Sequence, residues 1–288
     1  MKILVLGSKG QLGRCLSDQL ENTEHEITYT SRDQIDIANF EVINHQIADI
    51  APEMVINATA YTAVDKAEED QKTANLINHL AIANIAAICK HLDCWLLHIS
   101  TDYVFDGASN IPYKEDDQTN PQGVYGDTKL KGELSIHASG CNHIIIRTAW
   151  LFSEHGNNFL KTVLRLGAER AELSIVGDQI SCPTYAQDLA RAIVHILGSL
   201  SLQGESGTYH YCGNESCSWY DFALDIFNEA SRLKFKTPKV VKPIETSAYP
   251  TPAVRPAFSV LNCSNIQIKF GVSPSDWKLG IKNSLSKL

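Results

Sequence analysis

Tyr125 and Lys129 stand four residues apart in the stretch VYGDTKLKGE, and Ser100 and Thr101 close the apolar run that precedes it. On a helix that spacing puts the phenol and the amine on one face. A cationic lysine beside a phenol favours the phenolate and lowers the phenol from its usual ~10. A phenol so tuned can protonate the oxyanion that forms when a hydride attacks a carbonyl. A hydroxyl on Ser100 or Thr101 can bond the same carbonyl oxygen. The spacing alone says little, because 10 Tyr and 17 Lys in 288 residues give roughly 0.6 such pairs by chance. Its weight comes from a glycine-rich turn at the start of the chain and from STDYVFDG ahead of the tyrosine.

These groups need a scaffold, and the chain spells one out. Lys2 to Leu6 reads as a buried parallel strand, followed by Gly7, Gly10, Gly13 and the helical stretch RCLSDQLEN. Strand, glycine turn and helix together suit a dinucleotide, whose pyrophosphate meets bare backbone N–H groups at the helix start. His25 to Thr30 reads as the second strand. It ends in Ser31 and Arg32, a hydroxyl and a guanidinium that suit the 2′-phosphate of NADPH, while Asp33 keeps NADH open. Asp36 and Ile37 begin a loop, and residues 39–50 are helical. Glu53 to Ala58 is the third strand. Thr59, Ala60, Tyr61 and Thr62 lie at its carboxyl end, where open α/β sheets bind ligands. Asp65 and Glu68 read as an N-cap and its capping partner.

Residues 71–92 form a long helix, Cys94 to Ser100 the fourth strand, 124–138 the helix carrying Tyr125 and Lys129, and His143 to Thr148 the fifth strand. The alternation predicts an α/β fold: a Rossmann-type, doubly wound parallel sheet with a smaller C-terminal α/β domain. Residues 1–149 are the expected dinucleotide-binding domain. Residues 150–288 are the expected substrate domain, part of which returns to pack on the Rossmann sheet. Within it, 156–170, 184–198 and 218–232 are helical, the last opened by Ser216 or Ser218, and 208–212 reads as a strand. YPTPAVRP is too rich in proline for a helix interior. Its Arg255 suits either a ligand clamp or a surface connector.

Composition narrows the partners. A net charge of −8 argues against nucleic acid and against an anionic membrane surface. The chain has no run of about 20 apolar residues, and MKILVLGSKG is too short an apolar start for a signal peptide. Eight Cys without a Cys-x-x-Cys pair read as free thiols in a reducing cytoplasm, not as disulfides or metal ligands.

GSKGQLG, INATAYTAVDKAE, HISTDYVFDG, VYGDTKLKGE, RTAWLF, GNNFLKTVLRL and SAYPTPAVRP span nearly the whole chain. Together they resemble the extended short-chain dehydrogenase/reductase family, and within it the branch acting on dTDP-linked 4-keto sugars. The resemblance implies that Tyr125 is the proton donor, that Lys129 binds the nicotinamide ribose and tunes Tyr125, and that Thr101 positions the carbonyl. It assigns the cofactor to Gly10, Gln11, Leu12, Asp36, Ile37, Thr59, Ala60 and Tyr61, beside Gly7, Gly13 and Arg32 from the readings above. It assigns the substrate to Thr62, Val64, Thr101, Asp102, Trp150, Asn158 and Arg255. The implied reaction is reduction of dTDP-4-dehydro-L-rhamnose to dTDP-L-rhamnose for cell-surface polysaccharide, with NADPH expected and NADH possible. Another dTDP-4-keto-deoxyhexose stays open as the substrate. So does a non-catalytic, dinucleotide-binding role like that of the beta subunit of methionine adenosyltransferase. Some family members bind Mg²⁺ through glutamates at a dimer interface. Cys15 and Gln187 stand at the matching places, so no metal is expected, and the chain is expected to be a monomer or a weak homodimer.

Overall fold

The computed structural model describes residues 1–199 and 206–288. Its first half alternates strand and helix: β1 (Lys2–Leu6), α1 (Gln11–Leu20), β2 (Glu26–Thr30), α2 (Phe40–Ile50), β3 (Met54–Asn57), α3 (Val64–Glu69), α4 (Gln71–Asn75), α5 (Ala81–His91), β4 (Trp95–Thr101), α6 (Val124–Ser139) and β5 (His143–Thr148). A π-helical turn, Leu76–Leu80, joins α4 to α5, so the long helix read over 71–92 carries a bulge. The second half holds β6 (Leu151–Phe152), α7 (Phe159–Glu169), β7 (Glu172–Val176), β8 (Ile180–Ser181), β9 (Thr184–Tyr185), α8 (Ala186–Ser199), β10 (Gly207–His210), β11 (Cys217–Ser218), α9 (Trp219–Arg232), β12 (Val240–Ile244), α10 (Ser264–Phe270) and α11 (Trp277–Leu285).

Six strands make one parallel sheet in the order β10-β5-β4-β3-β1-β2. The chain leaves β1 for β2 on one side and returns to β3 on the other, so the order reverses at β1. Such a switch point opens a crevice at the carboxyl ends of the strands. Helices cover both faces of the sheet, and its inner strands β1, β3, β4 and β5 are largely apolar runs for that reason. Ile3, Val5, Leu97 and Ile146 pack under α1 and α8, while Leu4, Leu6, Val55 and Ile145 pack under α2 and α5. Burying each such side chain stabilises the fold by about 1.5–3 kcal/mol. A separate core around Phe152, Phe222, Tyr185 and Trp277 belongs to the second half.

Ser218 opens α9 as expected. Its hydroxyl accepts from the Asp221 N–H, and Asp221 returns a bond to the Ser218 N–H. All eight cysteines are free thiols, seven of them buried. Among the described residues no helix is long and apolar enough to cross a membrane.

Candidate active site

Gly7 ends β1 with φ +89, a conformation that favours glycine. A Cβ on Gly13 would stand 2.2 Å from the Gly7 carbonyl oxygen, so the turn closes only without one. Gly10 caps α1 and contributes no side-chain bond, which leaves the first-turn N–H groups to an anion. These features fit a dinucleotide pyrophosphate. Leu12 is buried behind the turn. Gln11 reaches across to the second half, where its Oε1 accepts from Ser153 Oγ (3.0 Å) and Asn158 Nδ2 (2.8 Å).

Past β2, Ser31 is turned inward to Gln34, its Oγ 3.1 Å from Gln34 Oε1. The expected hydroxyl for a 2′-phosphate is therefore already engaged, and exposed Arg32 remains. Asp33, the residue that kept NADH open, is paired with Lys9 at 2.7 Å, and Lys9 holds its carboxyl below the usual value. Asp36 Oδ1 accepts from the Ala38 N–H, with Ile37 buried next to it.

Thr59, Ala60 and Tyr61 follow β3. Asn78, in the π-turn, brackets Tyr61: the Tyr61 N–H donates to Asn78 Oδ1 (2.8 Å) and Asn78 Nδ2 donates to the Tyr61 carbonyl (3.1 Å). The same Nδ2 reaches Thr128 Oγ1 on α6 at 3.2 Å, so one bulged turn ties the β3 loop to the helix of Tyr125.

Thr101, at the end of β4, and Tyr125, in the first turn of α6, come together. The Thr101 side chain bonds the phenol, and the ring of Tyr125 meets that of Tyr103 edge-on at 5.6 Å between centroids. The phenol is pushed up to about 12, chiefly by burial, against the Thr101 hydrogen bond and with the Asp102 charge adding to the rise. This reverses the lowering expected from Lys129. The reason is geometric: Lys129 Nζ donates to the Ile99 carbonyl (2.6 Å) and lies 3.1 Å from His98 Nε2. Lys129 itself is brought down to about 8 by burial, against the charge of Glu133. Ser100, the alternative hydroxyl, instead donates to Glu133.

Asp65 and Glu68 do not cap α3, whose N-cap, Ala63, makes no side-chain bond. Asp65 grips Arg255 through two bonds (Nη1–Oδ1 3.1 Å, Nη2–Oδ2 2.8 Å), and that bond to Arg255 first of all lowers its carboxyl. Glu68 Oε1 accepts from the Val124 N–H at 2.8 Å and so caps α6 beside Tyr125. Exposed Thr62 and half-buried Val64 lie at the start of α3. Asp102 is only 2% exposed, and accepts from Ser259 Oγ (2.5 Å) and Thr101 Oγ1 (3.0 Å). Burial pushes it up to about 6 against those two bonds. Trp150 has φ +46 and stacks on Trp219 at 3.5 Å between centroids. Asn158 caps α7 through the Lys161 N–H.

Cys15 and Gln187, where the resemblance would put a metal, do not offer a hard cation the carboxylates it needs. Cys15 is buried and its thiol is pushed up to about 12, first by burial and then by Glu154, which keeps it protonated. Gln187 Oε1 is buried without a hydrogen-bond partner. The nearby carboxylate, Glu154, is paired with Lys287 at 2.5 Å. Among the described residues no cluster of three His, Cys, Asp or Glu is set to hold a metal.

Sequence reasoning missed His98, Asn57, Asn78 and the pair Glu133–Arg147. The signal available was a polar residue inside an apolar strand, as in WLLHIST and MVIN.

A parallel sheet entered through a glycine turn, with a Tyr-x-x-x-Lys helix at its carboxyl edge, defines a dinucleotide-binding oxidoreductase of the short-chain dehydrogenase/reductase type. The family model of the RmlD substrate binding domain matches residues 1–288. A dTDP-4-dehydrorhamnose reductase from Aggregatibacter actinomycetemcomitans is 41% identical over 98% of this chain and 97% of its own length. The solved structure of one from Clostridium acetobutylicum superposes with a TM-score of 0.93 at 39% identity, covering 100% of this chain and 99% of that one. Another, from Bacillus anthracis in complex with NADP, gives 0.91 at 34% identity over 100% and 99%. The chain belongs to the dTDP-4-dehydrorhamnose reductase family.

Proposed function

We propose that this protein reduces the 4-keto group of dTDP-4-dehydro-L-rhamnose to give dTDP-L-rhamnose, in the cytoplasm. The observation that carries the reading is the meeting of Thr101, at the carboxyl end of β4, with Tyr125 in the first turn of α6, on the same sheet whose β1 runs into the glycine turn. A bound NAD(P)H supplies the hydride to the sugar carbon. Thr101 holds the carbonyl oxygen, and Tyr125 gives its phenolic proton to that oxygen as the charge develops. Lys129 takes the nicotinamide ribose, with residues 1–149 serving the dinucleotide and 150–288 the nucleotide sugar. On the sugar side we assign Thr62, Val64, Asp102 and Trp150, and on the nucleotide side Asn158 and Arg255. Arg255 would have to exchange Asp65 for phosphate. The test is to incubate the protein with NADPH and each candidate dTDP-4-keto sugar and follow the loss of reduced-nicotinamide absorbance. Dinucleotide binding without turnover of any sugar would overturn the reading.

NADPH should give the higher kcat/KM. Lys9 already neutralises Asp33, and Arg32 stands exposed next to it, so Arg32 is the cation left to meet a 2′-phosphate. One charge-assisted contact worth about 1.4 kcal/mol is tenfold, and Arg32→Ala should erase most of the preference. Equal or better use of NADH by the unaltered protein would refute this. Turnover should also be unchanged in EDTA, given the thiol, amide and lysine at the metal position. Loss of activity in EDTA, restored by Mg²⁺, would contradict it.

A further inference from the structure

Asn57 and His98 sit opposite each other in the β3–β4 register, both wholly buried, behind Lys129. The direction of the hydrogen bonds along this row is set from one end. The Thr59 backbone N–H can only donate, and it meets Asn57 Oδ1 at 3.1 Å. The Thr59 hydroxyl meets the same oxygen at 2.6 Å. The amide therefore turns Nδ2 toward His98 Nδ1, 3.0 Å away, and Nδ1 must accept. Burial first of all holds the imidazole well below its usual value, so it is neutral and carries one N–H. That N–H is on Nε2, 3.1 Å from Lys129 Nζ. An ammonium has three donors and no acceptor, whereas the free amine can accept from Nε2 and still donate to the Ile99 carbonyl at 2.6 Å.

We propose that His98, oriented by Asn57, is a positioning residue that favours the uncharged amine of Lys129, so that binding of the dinucleotide draws a proton onto it. The proposal deepens, and rests on, the reading of Lys129 as the lysine that takes the nicotinamide ribose. Ribose hydroxyls can accept from an ammonium, which supplies the charged form with the partners that His98 withholds. The other titratable groups around Lys129 do not cancel the effect. Glu133, one turn along α6, favours the charge but is committed to Arg147 of β5 and Ser100 of β4. Tyr125, one turn back, stays a neutral phenol. Burial prevails, and Lys129 comes down to about 8.

The test uses the full chain carrying ¹³C-labelled lysine, with the Lys129 signal assigned by its loss in Lys129→Met. In the cofactor-free protein this signal should titrate at about 8, far below an ordinary lysine. His98→Gln, which can turn an amide oxygen toward Nζ, should raise the midpoint by about one unit or more, a tenfold change in the amine-to-ammonium ratio. Calorimetry of NADPH binding at a pH above that midpoint, in two buffers of different ionisation heat, should show net proton uptake that His98→Gln reduces. An ordinary lysine midpoint in the unaltered protein, no uptake, or no change in a folded His98→Gln overturns the proposal. If His98→Gln does not fold, the titration and the uptake of the unaltered protein decide. Sugar reduction without proton uptake would sink this inference and leave the proposed function standing. Uptake without sugar reduction would do the reverse.

Discussion

Tyr125→Phe should lower kcat by about 10²–10⁴-fold, the usual worth of a positioned general acid. Phenylalanine keeps the ring that meets Tyr103 edge-on and removes only the hydroxyl. Dinucleotide affinity should change little, because the glycine turn and Lys129 are untouched. Lys129→Met should damage both affinity and turnover. The pH dependence follows from the sign of the shift. The donor must be protonated, so activity is present below the phenol's pKa and lost above it. With that value pushed up to about 12, Tyr125 should produce no alkaline loss across the neutral range. Steady-state kinetics on the authentic sugar, with the dissociation constant for NADPH measured separately, check both statements. Near-normal kcat in Tyr125→Phe would mean that the proton comes from another group.

Glu133→Leu should destabilise the protein by about 3–5 kcal/mol, the cost of stranding one member of a buried ion pair. Glu133 is 1% exposed and takes three bonds from Arg147, at 2.7, 3.0 and 3.1 Å. The guanidinium also touches the Glu115 carbonyl and His210 Nε2, and lies 5.1 Å from the centroid of the Phe105 ring. His210 cannot share the charge, since burial, and then Arg147 itself, bring it down to about 3. Removing Glu133 therefore leaves a buried cation whose hydrogen-bond partners are neutral, with the Glu115 carboxylate the charge still near it. Removing both charges should cost much less, because an apolar pair of similar volume often equals a buried ion pair. Urea unfolding of Glu133→Leu and of Glu133→Leu with Arg147→Met measures the difference. A single variant losing under about 1 kcal/mol would show that the charge finds water or another partner.

What could be read in the sequence was what neighbours in sequence decide. The inner strands of the first half are largely apolar runs, and the glycine turn, α6 and the Ser218 cap follow from local spacing. The site was legible as residue types but not as partners. Asp65 and Glu68 have the three-residue spacing of a capping pair, yet they serve Arg255 and Val124, 190 and 56 residues away. Lys129 is on the helix face of Tyr125 as expected, but β4 decides what its amine meets, and nothing in VYGDTKLKGE encodes His98. The π-turn at Asn78 leaves the apolar pattern of the long helix intact and so is silent in sequence. β7 and β12 form a short two-stranded ribbon that lays Leu173, Ile175 and Val241 on the second core, and their few apolar residues were too short a pattern to read as strands.

β10 pairs with β5 in register from Gly207–Ile144 to His210–Arg147, so the last strand of the main sheet comes some sixty residues after its neighbour. On the ribosome, β5 is made long before the strand that covers its edge. Until then Ile144, Ile145 and Ile146, all fully buried in the finished protein, form an open apolar edge. The nascent chain must shield that edge through the synthesis of the intervening helices, and a recombinant fragment ending after β5 would keep it for good. Such a fragment exposes an apolar strand edge, the feature that pairs with another chain and aggregates. Anyone dividing this chain for separate study should therefore carry the cut past His210.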